Sequence, residues 1–469
     1  MIDVRSFAGL PIAVMGLGES GLATARALVR SGADVMAWDD DAGIRIKAEH
    51  DGVPIADLNA CDFNEVRTLV LSPGIPHTYP QPHQVAARAL QAKAEIVCDI
   101  ELLARTQTEA TYIGITGTNG KSTTTTLIGH ILTKAGRAPE VGGNLGPAVL
   151  AMRPLGRNGY YVLEMSSFQL ERVFSLAFDV AVLLNFAPNH DERHGGLDGY
   201  FAAKRRIFQN QGSTCTAIVG IDDAHCRALH AELLRHDAQR VIGISALAPV
   251  AGGVSAPDGI LRDDLEHRDD AIMDLRKIAT LPGAHNWQNA CAAYAAAHVL
   301  GVERNIIVEA IGSFQGLPHR QEIVALVDGV TFVNDSKATT PDAAAKALGS
   351  YADIYWIAGG TSKHVGYAAI DTYVPRIRHA FLIGAAADEI AAHLRGKAPA
   401  SVSRTLDRAV ADAFAQGKRD RIDGAVVLLS PACASYDQFT GFPQRGETFR
   451  KLALALPNAK PVRSAGGAA

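Results

Sequence analysis

The chain has 469 residues, which at roughly 150 per domain predicts about three domains. Apolar residues make up 48% and charged ones 20%, with a mean hydropathy of +0.06, which excludes a disordered or fibrous chain. Lys and Arg total 45 against 49 Asp and Glu, and the net charge of −4 excludes a general electrostatic pull toward nucleic acid or acidic membrane.

Residues 11–15 read as a strand running into Gly16-Leu17-Gly18-Glu19-Ser20-Gly21, followed by a helix over 22–30 that Gly32 stops. A second strand, 34–38, ends at Asp39, and a third, 68–71, closes on the turn Ser72-Pro73-Gly74. A second block opens with a strand at 112–115, the glycine-rich segment 117–120 and a helix over 121–135; strands follow at 160–163, 180–184, 216–219 and 240–244. Residues 246–276, richer in Gly, Pro, Asp and Arg, read as a peripheral excursion before a closing helix at 286–300. After Gly316-Leu317-Pro318 a third block carries strands at 331–334, 354–358, 379–383 and 425–429, with helices between them. The tail, 457–469, is small and polar and is expected to be disordered. This rhythm predicts an α/β protein of mostly parallel sheets with right-handed crossovers.

The six cysteines are scattered, with no C-x-x-C, and are expected to serve as small apolar fillers in a reducing compartment. No apolar run reaches the roughly 18 residues that span a bilayer, and the N-terminus lacks a signal peptide's basic start and unbroken apolar core. The expectation is a cytoplasmic protein.

The sharpest chemical signal is Thr116-Gly117-Thr118-Asn119-Gly120-Lys121-Ser122-Thr123 between a strand and a helix. Glycines let backbone N–H groups turn inward around phosphate oxygens, and the helix N-terminus adds partial positive charge. Lys121 is placed to reach the β/γ-phosphates and the Ser122 hydroxyl to ligate Mg²⁺, although Ile115 stands where the general P-loop pattern begins with glycine. Glu164, at the end of strand 160–163, is a second oxygen ligand for magnesium. His190 follows another strand and by itself is a weak metal candidate. Taken alone, Gly16-x-Gly18-x-x-Gly21 with Asp39 downstream suggests NAD.

Together these pieces resemble the Mur ligases, the ATP-dependent amide-forming enzymes of peptidoglycan precursor synthesis. The shared pattern is the segment 116–123, Glu164, residues 185–190, Gly283-Ala284-His285-Asn286-Trp287-Gln288-Asn289, and His319-Arg320. Asn334-Asp335-Ser336-Lys337-Ala338-Thr339 and residues 428–439 match the family members that add D-glutamate. Other amide ligases of the superfamily are the runner-up; the His-His-Pro segment of the alanine-adding ones and the Asp-Asn-Pro-Arg segment of the diaminopimelate-adding ones are both missing. A P-loop switch or transporter-associated ATPase would leave the segments at 334–339 and 430–439 without a purpose.

The resemblance implies an N-terminal Rossmann-like domain (1–107) for the UDP end of UDP-N-acetylmuramoyl-L-alanine, a central P-loop ATPase domain (108–315), and a C-terminal Rossmann-like domain (316–469) for D-glutamate. The family default is a monomer that inserts in no membrane and binds no nucleic acid. It implies that Gly18, Glu19 (through its backbone N–H), Ser20, Ser72, Pro73 and Gly74 hold the UDP diphosphate side, and that Asp39 or Asp40 takes the uracil edge. Asn144, Ser166, Gln169 and His190 would contact the rest of that substrate. ATP would meet Gly117, Thr118, Asn119, Gly120, Lys121, Ser122, Thr123, Asn286, Asn289, Arg320 and Asp335. Ser122 and Glu164 would share one Mg²⁺, with His190 and a carbamylated Lys204 supporting a second. Lys337 would orient the acyl-phosphate or the incoming amino acid, and Thr339, Lys363, Ser435 and Phe442 would complete the D-glutamate site. Lys121, His190, Lys204 and Lys337 are the catalytic candidates. Ser362 stands where the family's loop before Lys363 has glycine.

Overall fold

The regularly spaced apolar runs become parallel strands because most are buried on both faces and need helices on either side. In the computed structural model, which describes residues 1–188, 191–362 and 366–462, they form three sheets among the described residues. The chain packs as two compact units, Met1–Leu275 with Ala284–Gly312, and Arg276–Gly283 with Ser313–Ala469.

The first unit holds two sheets. Asp34–Trp38, Pro11–Met15, Thr68–Leu71 and Glu95–Val97 lie side by side in that order, all parallel. The chain leaves Pro11–Met15 toward one side and returns on the other. The loops after Pro11–Met15 and Thr68–Leu71 are therefore neighbours at the carboxyl ends, where open α/β sheets bind ligands. The first helix is Glu19–Arg30, three residues longer than its periodicity predicts, because Gly18 already takes the N-cap position.

In the larger sheet Thr111–Thr116 lies between Val180–Leu183 and Tyr160–Glu164, with Glu140–Gly143 beyond the latter. Thr216–Gly220 and Arg240–Ser245 extend the other side in parallel. The excursion at 246–276 is part of this sheet: Val254–Ser255 pairs parallel with Arg240–Ser245, and Ile260–Asp263 and Asp270–Asp274 continue it antiparallel. The closing helix is Ala284–Val299.

In the second unit the sheet order is Ala400–Arg404, Ile377–Ile383, Ile354–Gly359, Val426–Leu429, Val330–Asn334, Glu322–Val327 and Ala459–Pro461. The two faces alternate along Ile354–Gly359: Ile354, Trp356 and Ala358 enter one apolar cluster, Tyr355 and Ile357 the other. Val426–Leu429 is inserted between Ile354–Gly359 and Val330–Asn334, so the loops following these three parallel strands open side by side. The expectation of a disordered tail is corrected here: Ala459–Pro461 pairs antiparallel with Glu322–Val327, satisfying its edge. Residues 463–469 lie outside the described residues.

All six cysteines are buried and free. Among the described residues no helix is long and apolar enough to cross a membrane.

Candidate functional site

The phosphate loop sits at the switch point of the larger sheet, directly after Thr111–Thr116. Gly120 caps the helix Lys121–Lys134 with φ +83°, and a Cβ placed there would lie 2.1 Å from Asn289 Oδ1. Only glycine meets both conditions. The loop is held from the next strand end by Asn185, whose Oδ1 accepts from Asn119 N at 2.9 Å and whose Nδ2 donates to Asn119 O at 3.2 Å. Thr118 Oγ1 donates to Ala187 O at 3.1 Å. Lys121 Nζ folds onto its own loop, donating to the carbonyls of Gly117 and Thr118 at 2.9 and 3.1 Å. Ser122 and Thr123 are buried at the helix start. Asn286 and Asn289 stand i and i+3 on Ala284–Val299, joined by Asn289 Nδ2 donating to Asn286 Oδ1 at 3.2 Å. Asn289 Oδ1 is buried with no hydrogen-bond partner and faces Gly120.

Beside this loop Glu164 ends the strand Tyr160–Glu164, opposite Ile115 in register. Its Oε1 accepts from Asn144 Nδ2 at 2.8 Å, whereas Oε2 is buried without a partner. A desolvated carboxylate oxygen with no donor is costly unless a cation or proton meets it, so this atom fits a hard cation such as Mg²⁺. Lys204, on Leu197–Arg205, is 2% exposed and donates Nζ to Gly117 O at 2.9 Å. Burial, reinforced by the charge of Lys121, holds its amine well below the ordinary lysine value. A neutral buried amine is nucleophilic, which is what addition to CO₂ requires. Among the described residues no group of three His, Cys, Asp or Glu gathers to hold a metal. His190 lies outside the described residues.

The smaller sheet supplies a groove. One hollow of about 370 Å³ is lined by Gly18, Glu19, Ser20, Asp39, Asp40, Ser72, Pro73 and Gly74 among others. A second, about 190 Å³, shares Glu19, Ser20 and Pro73 with it and reaches Asn144 and Gln169. The two hollows thus take in the UDP-side candidates except Ser166, which lines neither, and His190, which lies outside the described residues. Gly21 is required by close packing, since a Cβ there would lie 1.7 Å from Gly16 O. Two acids and the serine are already engaged. Asp39 Oδ2 accepts from Leu17 N at 2.7 Å, Asp40 Oδ2 meets His83 Nε2 at 2.9 Å, and the Ser20 hydroxyl donates inward to Asp99. Ser20 therefore offers the groove its backbone rather than its hydroxyl proton. Burial raises the Asp99 carboxyl above its usual range. Ser166 caps Ser167–Leu170 in a capping box with Gln169.

The second unit carries its own cluster. Asp335 is buried; its Oδ2 accepts from Ser430 Oγ at 2.8 Å and its Oδ1 from Gln321 N at 3.2 Å, and burial pushes it up to about 7. Arg320 opposes that rise through its charge. Lys337 Nζ lies 5.2 Å from the centre of the Phe442 ring. The buried Arg445 ties the three loops together, donating to Ser336 Oγ (3.0 Å), Ser336 O (2.9 Å) and Cys433 O (3.1 Å), and more distantly to Gly359 O and Ala434 O. Through that clamp Lys337, Thr339, Ser435 and Phe442 share one end of the sheet; Lys363 lies outside the described residues. Asn185, Asp99 and Arg445 are structural partners of the site that sequence reasoning gave no role.

Two strand ends bearing nucleotide-type loops in the first unit and the converging loops of the second define a multidomain α/β nucleotide-binding architecture. The chain belongs to the Mur ligase family: the Mur ligase middle domain matches residues 115–297, and the Mur ligase glutamate ligase domain residues 319–433. It is 51% identical to a UDP-N-acetylmuramoylalanine–D-glutamate ligase of Rhodospirillum rubrum over 100% of this chain and 99% of that protein. A ligase of the same name from Paramagnetospirillum magneticum is 50% identical over 97% of this chain and 99% of its own. Among solved structures, the UDP-N-acetylmuramate-alanine ligase of Thermotoga maritima shares the fold, with a TM-score of 0.57 at 18% identity, covering 94% of this chain and 98% of that one.

Proposed function

We propose that this chain is an ATP-dependent ligase that joins D-glutamate to UDP-N-acetylmuramoyl-L-alanine, in the cytoplasmic synthesis of peptidoglycan precursor. The observation that carries the reading is the convergence on Gly117 of Lys121, Lys204 and the phosphate loop, beside the unpartnered oxygen of Glu164. The full-length identity with ligases of that name supports the choice of substrates.

A carboxylate repels an amine and has no leaving group. Its oxygen therefore attacks the γ-phosphorus of ATP, the bond to the β–γ bridging oxygen breaks, and ADP leaves. The D-glutamate nitrogen then attacks the acyl carbon, and the tetrahedral intermediate expels phosphate as the nitrogen loses its proton. The protein's part is positioning and charge stabilisation. Lys121 leaves the carbonyls of Gly117 and Thr118 for the β/γ-phosphates, and the amides of residues 118–122 cradle them. Asn286 and Asn289 on the closing helix would meet the nucleotide, and Arg320 and Asp335 are the further residues assigned to ATP. Ser122 and Glu164 would hold Mg²⁺, with His190 and Lys204 supporting a second ion. When bound, Mg²⁺ neutralises phosphate charge and polarises the transferred group. Lys204 suits that role after its neutral amine adds to CO₂: a nitrogen–carbon bond forms as one C=O π bond opens onto oxygen, the nitrogen gives up one proton, and a neutral amine becomes an anionic carbamate. Gly18, Glu19, Ser20, Asp39, Asp40, Ser72, Pro73, Gly74, Asn144, Ser166, Gln169 and His190 hold the UDP substrate, while Lys337, Thr339, Lys363, Ser435 and Phe442 hold D-glutamate.

The test is isotopic. With ¹⁸O in the substrate carboxylate, the released phosphate carries one ¹⁸O atom. Unlabelled phosphate rules the acyl-phosphate out.

A further inference from the structure

The groove assigned to the UDP diphosphate is short of positive charge. Glu19, Asp39 and Asp40 line it, and no lysine or arginine does so among the described residues. The N-terminus of Glu19–Arg30 contributes partial charge, but Glu19 itself opposes it. A full cation lies one layer behind. Arg172 is 0% exposed, and its guanidinium donates only to carbonyls: Nη1 to Leu71 O at 2.8 Å and Ser72 O at 3.1 Å, Nη2 to Pro73 O at 3.0 Å, and Nε to Phe168 O at 3.1 Å. It makes no ion pair among the described residues. Burial lowers it to about 10, so it remains charged at neutral pH.

Three consecutive carbonyls drawn onto one guanidinium fix the direction of the peptide groups between them. In a trans peptide the N–H points opposite to the carbonyl. With Pro73 O held toward Arg172, the Gly74 N–H is directed away from it; that N–H takes no acceptor among the described residues, and Gly74 lines the larger hollow.

We propose that Arg172 is a positioning residue for the diphosphate of the UDP substrate: its fork turns the loop carbonyls of residues 71–73 away from the groove, presents the Gly74 amide to the anion, and places a buried positive charge behind it. This rests on the reading that the groove holds UDP.

The test uses the full chain with R172M and R172K. UDP affinity is measured by calorimetry, the three Michaelis constants by steady-state kinetics, and the UDP footprint by hydrogen exchange. R172M is expected to weaken UDP binding and raise the KM for the UDP substrate about tenfold or more, with the ATP and D-glutamate KM values within about twofold and UDP protection lost at residues 72–75. R172K keeps the charge but cannot span three carbonyls, so it recovers only part of the loss. A folded R172M that binds UDP as the wild type does overturns the inference, and so does an equal rise in all three KM values, which marks a merely structural role. If R172M fails to fold, R172K decides: a UDP affinity equal to wild type overturns the proposal. A wild-type UDP footprint away from residues 16–20 and 72–75 overturns the groove reading itself.

Discussion

Replacing Gly120 with alanine tests the geometry of the phosphate loop at one atom. The residue sits at φ +83°, where a side chain costs about 1–2 kcal/mol. The new methyl would also lie 2.1 Å from Asn289 Oδ1, against an ordinary contact well above 3 Å, so Asn289 or the loop must give by about 1 Å. A displacement of that size at a positioning group costs about a hundredfold in rate. G120A should therefore melt about 2–4 °C lower and lose about a hundredfold in kcat/KM for ATP. N289A removes the clashing atom but leaves the backbone angle. The double variant should then regain the share of stability due to the clash and keep the share due to φ. Calorimetric melting of the two single variants and the double variant reads this coupling. If G120A is equally destabilising with and without Asn289, the clash argument is refuted.

Three further outcomes follow from buried charge. Lys204 has its amine held below the value it has when unfolded, so the unfolded chain gains a proton first as pH falls. K204M should lose ligase activity yet melt higher than wild type at pH 7 in CO₂-free buffer, with the gap closing as pH rises toward about 10.4; equal activity in the two proteins would refute the role. Asp335 is raised to about 7 against about 3.9 unfolded, so its stabilising contribution is present below the lower value and lost as pH rises through the upper one. Melting of wild type should therefore fall relative to D335N between about pH 4 and 7 and change no further above, a difference that disappears if the carboxyl is ionised throughout. R445M leaves the carbonyls of Ser336 and Cys433 without their donor, which should destabilise the second unit by about 3 kcal/mol and raise the KM for D-glutamate more than that for ATP. Equal changes in both constants would refute its role in holding those loops.

Much of the architecture was legible because the strands that carry the site are continuous apolar runs. Pro11–Met15, Asp34–Trp38 and Thr68–Leu71 match their predicted limits, and Thr111–Thr116 differs by one residue at each end. Strands without that signature were missed for identifiable reasons. Glu140–Gly143 is half glycine, Ala400–Arg404 is a mostly exposed edge, and Ala459–Pro461 owes its pairing to the distant Glu322–Val327. The phosphate loop could be read locally because its glycines and Lys121 are contiguous. Its support could not. Asn185 lies 66 residues from Asn119, Asp99 lies 79 from Ser20, and Arg445 lies 109 from Ser336, and no local pattern encodes such contacts. Sequence also assigns Ser20 a phosphate contact without seeing that its hydroxyl donates its hydrogen bond to Asp99.

On the proposed function the chain couples ATP cleavage to amide formation with one amino acid. Phosphate release with ATP, Mg²⁺ and UDP-N-acetylmuramoyl-L-alanine, testing D-glutamate, L-glutamate, L-alanine and meso-diaminopimelate separately, measures it directly. Turnover is expected with D-glutamate alone and abolished in Lys121→Ala; turnover with another amino acid, or hydrolysis indifferent to all four, would overturn that function.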